Sequence, residues 1–491
     1  MKRKYLMICL LGGALSMSSC KDFLDLEPKS VPTDQNFWKT QDDANAAVSG
    51  GYALLRTALN DPSGLTHYAY GDFPTDEITA TNNDDFRYVV NVQLNRALAS
   101  SDTGNPIYRL RRFDNFYRII DQANRIIEQV PAMNASAFSS EKLRRTYIGE
   151  AYFLRAFTYF YMGRIWGGVP VLTEAVLPIN ADHHPSATPE QVMAQVKADI
   201  AKAKEYLGWS NLSSREAGIR ANRGAAFALE AHANAWTGDY AASVAAADSV
   251  IMSNDYFYVS RDSIPYRNMY RGQSAESIFE ISMSQANEGT RQGIGQFTLV
   301  APYQRQINSP VLTIAPARIR ELFKEKEDKR LKYSFDTTIN VNFVVVTKYA
   351  NLTFNSENNN AVPVYKNNIL IFRYSDIKLL RAEALAALGR NGEAEETLNE
   401  VRIQAGLPVW DGSGSLIKAI FDERARELFM EGHRYYDLVR LYKHHRIFEF
   451  PSNKMTVGQF NAGKYMWPFD PSLMNQNPML RQTPYWATVS M

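Results

Sequence analysis

At 491 residues the chain is longer than one ordinary hydrophobic core organises, which leaves several domains or a repeat array. Its 54 Lys and Arg against 52 Asp and Glu give a formal charge of +2 with no basic stripe, which excludes an electrostatic nucleic-acid binder. A composition of 45% hydrophobic and 22% charged residues excludes a disordered chain.

Lys2, Arg3 and Lys4 precede an apolar run from Tyr5 to Leu11 and small residues ending at Ser19 and Cys20, the layout of a secretory signal. The run falls short of the about 20 apolar residues that a membrane-spanning helix needs, so residues 1–19 read as a cleaved leader. Leu15-Ser16-Met17-Ser18-Ser19-Cys20 resembles a bacterial lipobox, with Met17 where an aliphatic residue is usual. The other cysteine, Cys9, lies inside the leader, so the mature chain forms no internal disulfide and Cys20 reads as a lipid anchor. One acyl chain binds a membrane marginally, whereas two or more hold a protein there stably. Residues 20–39 then form a tether, and Lys21-Asp22 is similar to the short charged signal that sends lipoproteins to the cell surface. Loss of Lys2, Arg3 and Lys4 with the leader turns the formal charge to −1.

Helices follow in pairs. Thr40 with Asp43 predicts a capping box and a helix to about Ala58. Phe116, Ile119, Ile120, Ala123, Ile126, Ile127 and Val130 fall at spacings of three and four, one buried stripe that Pro131 is expected to stop. Further helices are expected over about Glu141 to Arg164 and Pro189 to Leu207. Asn222 to Trp236, a turn at Gly238-Asp239-Tyr240 and Ala241 to Ser253 form an alanine-rich hairpin. A second runs from Tyr374 to Leu388 through Gly389-Arg390-Asn391-Gly392 to Glu393–Ala405. Both share the plan of a tetratricopeptide repeat without its full signature. The aromatic run Tyr152, Phe153, Phe157, Tyr159, Phe160 and Tyr161 reads as core. Arg155, Arg164, Glu383, Glu423, Arg424, Glu427, Arg434 and Asp437 read as charges that join helix to helix.

Two long departures, 60–111 and 255–373, carry Gly, Pro, Asn and Tyr without sustained helical period, and loops of that length are usually functional. Short strands are expected at Val341 to Lys348 and Asn368 to Phe372. The tail from Phe450 is irregular. A sugar ring offers an apolar C–H face and a polar rim, so a site for it combines an aromatic plate with Asn, Asp or Arg. The first departure supplies Tyr68, Tyr70, Asp72, Asp76, Asn82, Asn83, Arg87 and Tyr88 as candidate ligand-binding residues, and the second supplies Tyr303 and Arg305. No tryptophan stands in these stretches, which counts against a long glucan.

Catalytic motifs are missing: no HExxH, no GxSxG and no phosphate loop, and Gly289, Gly293 and Gly295 do not form a dinucleotide fingerprint. The adjacent pairs His183-His184 and His444-His445 point about 100° apart on a helix and do not share a metal. No catalytic residue, metal or cofactor is assigned, although Asp and Asn clusters could hold a structural calcium.

The chain resembles the SusD/RagB starch-binding-type outer-membrane lipoproteins of Bacteroidetes along nearly its whole length. The resemblance rests on CKDFLDLEP from Cys20, GEAYFLRAFTYFYMGRIWGGVPVL from Gly149, Gly238-Asp239-Tyr240 and RYSDIKLLRAEALAALGRNGEAEETLNEVR from Arg373. It continues through ERARELFMEGHRYYDLVR from Glu423, Tyr465-Met466-Trp467-Pro468 and Asn477-Pro478-Met479-Leu480. Thr483 departs from the family's usual asparagine after the terminal glutamine. The resemblance implies a mostly α fold: a right-handed superhelix of about four tetratricopeptide-like pairs with an irregular ligand-binding lobe containing short strands. Its regions would be 40–254 helical with the insertion 60–111, 255–373 the ligand-binding insertion, and 374–491 a C-terminal repeat and tail. It also implies a surface-exposed protein, lipid-anchored in the outer membrane, that binds an oligosaccharide for a SusC-like TonB-dependent transporter. An oligopeptide or glycopeptide ligand, or a scaffold role with no small ligand, stays open.

Overall fold

Thr40 lies in extended backbone; its hydroxyl accepts from the Asp43 N–H at 3.2 Å while the Asp43 carboxylate accepts from the Thr40 N–H at 2.7 Å. The expected capping box therefore opens helix α1 (Gln41–Leu59). The computed structural model describes residues 37–61, 65–99, 101–175, 183–283, 293–357 and 361–490. The leader, Cys20 and the tether up to residue 36 lie outside the described residues.

In α2 (Asp114–Ala132), Phe116, Ile119, Ile120, Ala123, Ile126 and Val130 are buried along the predicted stripe. The helix passes through Pro131 instead of stopping there. In a last turn the missing N–H removes one bond, and the Met133 N–H still closes on the Gln129 carbonyl. Helix α3 (Glu141–Trp166) is buried almost without break from Tyr147 onward, including Phe153, Phe157, Tyr159, Phe160 and Tyr161, with Tyr152 half-buried. It is the central rod, about 39 Å long at 1.5 Å per residue.

The series continues with α4 (Pro189–Tyr206), α5 (Arg223–Thr237), α6 (Tyr240–Met252), α7 (Tyr374–Ala387), α8 (Asn391–Gln404), α9 (Leu416–Glu427) and α10 (Arg434–His445). From α1 to α8 each packs on its sequence neighbour; α7 also receives α9, which packs on α10. The product is a mostly helical superhelix with short strands in a separate lobe. Gly238, at φ 82°, closes α5, and the Asp239 side chain caps α6, so the alanine hairpin turns where its glycine requires. In the second hairpin α8 starts at Asn391, two residues earlier than expected.

Charges join the helices much as the sequence implies. Arg155 of α3 chelates Asp199 of α4 at 2.8 and 2.6 Å; Arg440 of α10 holds Glu383 of α7 at 2.9 and 2.8 Å. Arg424 of α9 bridges Asp376 and Asp437 at 3.0 and 2.9 Å. Arg164 differs: among the described residues it meets no carboxylate and lies 3.9 Å from the Tyr436 ring centroid, a cation on an aromatic face.

The two insertions form one lobe. Its strands are β1 (Ala80–Thr81), β2 (Ser277–Ile281), β3 (Leu312–Thr313), β4 (Phe335–Asp336), β5 (Val345–Val346), β6 (Leu352–Phe354), β7 (Pro363–Tyr365) and β8 (Ile369–Arg373). They pair antiparallel as β1 with β3, β2 with β8, β4 with β5 and β6 with β7. The β1–β3 ladder joins the first insertion to the second, and Phe86 packs edge-on against Phe297 beside it. The strand expected at Val341–Lys348 narrows to β5, because Thr347–Tyr349 coil into a 3-10 turn and Val341 is exposed. The strand expected at Asn368 starts one residue later.

A lattice of fully buried ions fastens the second insertion to α9. The Glu427 carboxylate accepts from Arg261 at 2.6 Å, Arg373 at 2.7 Å and Arg330 at 2.8 Å, and Glu431 accepts from Arg373 at 2.8 Å and Lys348 at 3.0 Å. The tail holds the first insertion: Lys454 Nζ donates to the carbonyls of Phe73, Thr75 and Ile78, and Arg111 pairs with Asp470 at 2.9 Å. Short helices at Val457–Asn461 and Pro471–Gln476 give the tail more order than its prolines suggest.

A candidate ligand site at the end of the first insertion

Three of the sequence candidates lie in the core. Tyr68, on a short helix Thr66–Gly71, is 3% exposed and packs edge-on against Tyr349. Tyr70 is fully buried against Trp467 and donates its hydroxyl to the Leu110 carbonyl at 2.7 Å. Asp72 is fully buried; both carboxylate oxygens accept from the Gly432 N–H, at 3.0 and 2.9 Å, and burial pushes its carboxyl up. The expectation that Tyr68 and Asp72 face a ligand is therefore corrected; Tyr70, though buried, lines the cleft beside Tyr108. Their stretch runs beneath the loop between α9 and α10, so close that a Cβ on Gly71 would stand 2.3 Å from the Gly432 oxygen. A mixed aromatic and polar stretch reads alike whether water or a distant segment covers it.

Asp76 is likewise occupied. Burial raises its carboxyl, but Arg434, at 2.9 Å through two bonds, and Arg318 outweigh it and hold the group down at about 2. Asn83 accepts from the Asp85 and Phe86 N–H groups at 2.9 and 3.0 Å and so caps the short helix Asp84–Val90.

Asn82, Arg87 and Tyr88 do reach the surface together. Asn82 is exposed, its amide donating to the Pro310 carbonyl at 3.2 Å. The half-buried Tyr88 ring has the Arg87 guanidinium at 5.3 Å and that of Arg96 at 4.4 Å. Tyr303 donates to Asp336 at 3.0 Å and Arg305 lies over Phe354 at 3.9 Å. Among the described residues no hydrogen bond, ion pair or ring contact joins these two to the Tyr88 patch.

Behind that patch lies a cleft the sequence reading missed. Arg96 pairs with Asp85 at 3.0 Å, and Asp85 accepts from the Asn105 amide at 2.8 Å. The Asn105 oxygen in turn accepts from the Ile107 N–H at 2.9 Å and caps the helix Pro106–Leu110. That helix carries Tyr108 and Arg109 into a cleft of about 380 Å3, faced by Arg112, Asp114, Asn115 and Arg118, with Phe116 and Tyr70 among the lining side chains. Arg112 chelates Asp114 at 2.6 and 2.9 Å and lies 5.1 Å from the Tyr108 ring centroid. A half-buried ring, guanidinium and amide donors, and carboxylate acceptors thus converge in a volume near the lower end of the roughly 300–1,000 Å3 typical of small-ligand sites. The available signal was the density of Tyr, Arg, Asn and Asp between 108 and 118, where an irregular stretch meets α2; periodicity analysis passes over such boundaries.

His444 and His445 serve packing. His444 Nε2 is 3.1 Å from the Trp236 carbonyl and His445 Nε2 is 3.1 Å from the Tyr240 hydroxyl. Among the described residues no cluster of three or more His, Cys, Asp or Glu is placed to hold a metal ion.

Residues 325–486 match the profile described as "SusD family", and residues 22–233 match one described as "Starch-binding associating with outer membrane". SusD-like protein P38 of Formosa agariphila is 27% identical over 96% of each chain. The crystal structure of a SusD homolog from Bacteroides thetaiotaomicron superposes with a TM-score of 0.79 at 27% identity, covering 92% of this chain and 100% of that one. A structure described as a laminarin binding SusD-like protein has a TM-score of 0.72 at 20% identity, over 91% of this chain and 100% of that one.

Proposed function

The chain belongs to the SusD family, and from that premise we propose that it is a surface lipoprotein which captures an oligosaccharide and passes it to a SusC-like TonB-dependent transporter. The observation that carries the ligand reading is the cleft beside Tyr108. Its ring offers a face for the C–H side of a sugar, while Arg109, Asn115 and Arg118 supply donors and Asp114 an acceptor for the hydroxyl rim. The profile matched over residues 22–233 supports a glycan and the outer membrane as the setting. The protein binds and does not transform its ligand: the ions that resemble catalytic pairs, such as Arg424 with Asp376, hold helices together.

No described helix is long and apolar enough to cross a membrane. The lipobox-like stretch ending at Cys20 supports acyl chains on that residue as the proposed attachment. Mass spectrometry of the membrane fraction checks this; an unmodified Cys20 thiol overturns it. Isothermal calorimetry against oligosaccharides, oligopeptides and glycopeptides, with wild type and Tyr108→Ala, tests the site. Oligosaccharide binding lost in the variant is the expected result. Binding of peptides alone transfers the reading to a peptide carrier. No binding by folded wild type leaves the scaffold role.

A further inference from the structure

Resting on that reading of the cleft, we propose that its ligand is an acidic oligosaccharide, one carrying carboxylate or sulfate groups. Three guanidiniums line the cleft, from Arg109, Arg112 and Arg118, against the carboxylates of Asp61 and Asp114. The charge of Asp114 is balanced by Arg112 in a two-bond chelate at 2.6 and 2.9 Å, which leaves its exposed oxygens able to accept from a hydroxyl, and Asp61 is 8% exposed. Arg109 and Arg118 are both exposed, and among the described residues neither has an ion-pair or hydrogen-bond partner for its side chain.

A second cleft of similar size, about 390 Å3, shows that this is not simply how the chain lines its cavities. There Arg434 and Arg318 share Asp76, Arg426 holds Glu423, and Lys418 pairs with Asp422 and Glu449, so every guanidinium is answered by a protein carboxylate, and of the lining cations only Lys324 has no such partner among the described residues. In the Tyr108 cleft two cations are left for the ligand, and they come from different elements, Arg109 from the short helix and Arg118 from α2. A guanidinium meets a carboxylate or sulfate with paired N–H donors, whereas a neutral hydroxyl answers only one donor at a time. Asn115, three residues before Arg118, shares its side of α2 and supplies an amide for the hydroxyls that remain.

Calorimetry with uronate, sulfated and neutral oligosaccharides of equal length, at low and at high salt, decides this. Acidic ligands should bind more tightly, and their affinity should fall as salt rises. The double variant Arg109→Gln and Arg118→Gln should weaken acidic ligands about tenfold or more, with the melting temperature unchanged. Preference between the uronate and sulfated series identifies the anionic group. Neutral ligands bound as tightly, insensitive to salt and to the double variant but lost in Tyr108→Ala, would overturn the acidic ligand and leave the cleft as the site. Binding that Tyr108→Ala leaves unchanged would overturn the cleft itself.

Discussion

Glu427 sits where the lobe meets the superhelix, and its removal has a calculable cost. Its carboxylate, with no solvent exposure, accepts from Arg261, Arg373 and Arg330 at 2.6, 2.7 and 2.8 Å. Breaking a buried ion pair by removing one partner costs about 3–5 kcal/mol. Each arginine keeps another carboxylate: Arg261 keeps Glu276, Arg330 keeps Asp328 and Glu423, and Arg373 keeps Glu276 and Glu431. The expected loss for Glu427→Ala is therefore near the lower end, about 3 kcal/mol. Glu427→Gln preserves the shape but turns an amide NH2 toward guanidinium donors, so it should cost nearly as much. Urea unfolding followed by tryptophan fluorescence measures both, and hydrogen exchange should show residues 255–373 losing protection first. If both variants unfold within about 1 kcal/mol of wild type, the lattice does not fasten the lobe as argued. If only Glu427→Gln does, packing and not charge matters there.

Other consequences are as direct. Burial raises the Glu423 carboxyl, but Arg330, Arg426 and Arg402 more than offset this and hold it down at about 2; a depressed acid contributes stability above its ordinary range and loses it as pH falls. The urea midpoint should thus drop between about pH 4.5 and 2, and a flat profile over that range refutes the assignment. Gly71→Ala would press a methyl against the Gly432 backbone, at 2.3 to 2.5 Å, and should cost at least about 1–3 kcal/mol; an unchanged melting curve would mean the two loops are free to separate. Lys454→Met strips the carbonyls of Phe73, Thr75 and Ile78 of their donor. At about 1–3 kcal/mol for orphaned buried acceptors, limited proteolysis should then cut within 450–490 sooner than in wild type; equal cleavage rates speak against the latch.

Local chemistry is legible along the chain because its partners are local. The Thr40–Asp43 box, the stripe from Phe116 to Val130 and the Gly238 turn each depend on residues within a few positions, and the helices begin and end close to where those signals stand. Charged residues such as Arg155 and Glu383 could be read as joints between helices, though not matched to Asp199 and Arg440.

What only the tertiary structure decided is which residues face water. Thr79 meets Thr313 across 234 positions and Asp72 meets Gly432 across 360, and nothing in local spacing specifies either meeting. Those long-range pairings fold two separate insertions into one lobe, bury Tyr68, Tyr70 and Asp72, and open the cleft at Tyr108. An aromatic residue among polar neighbours has the same sequence pattern in a core as in a binding site. The difference is made by the distant segment that covers it or leaves it open.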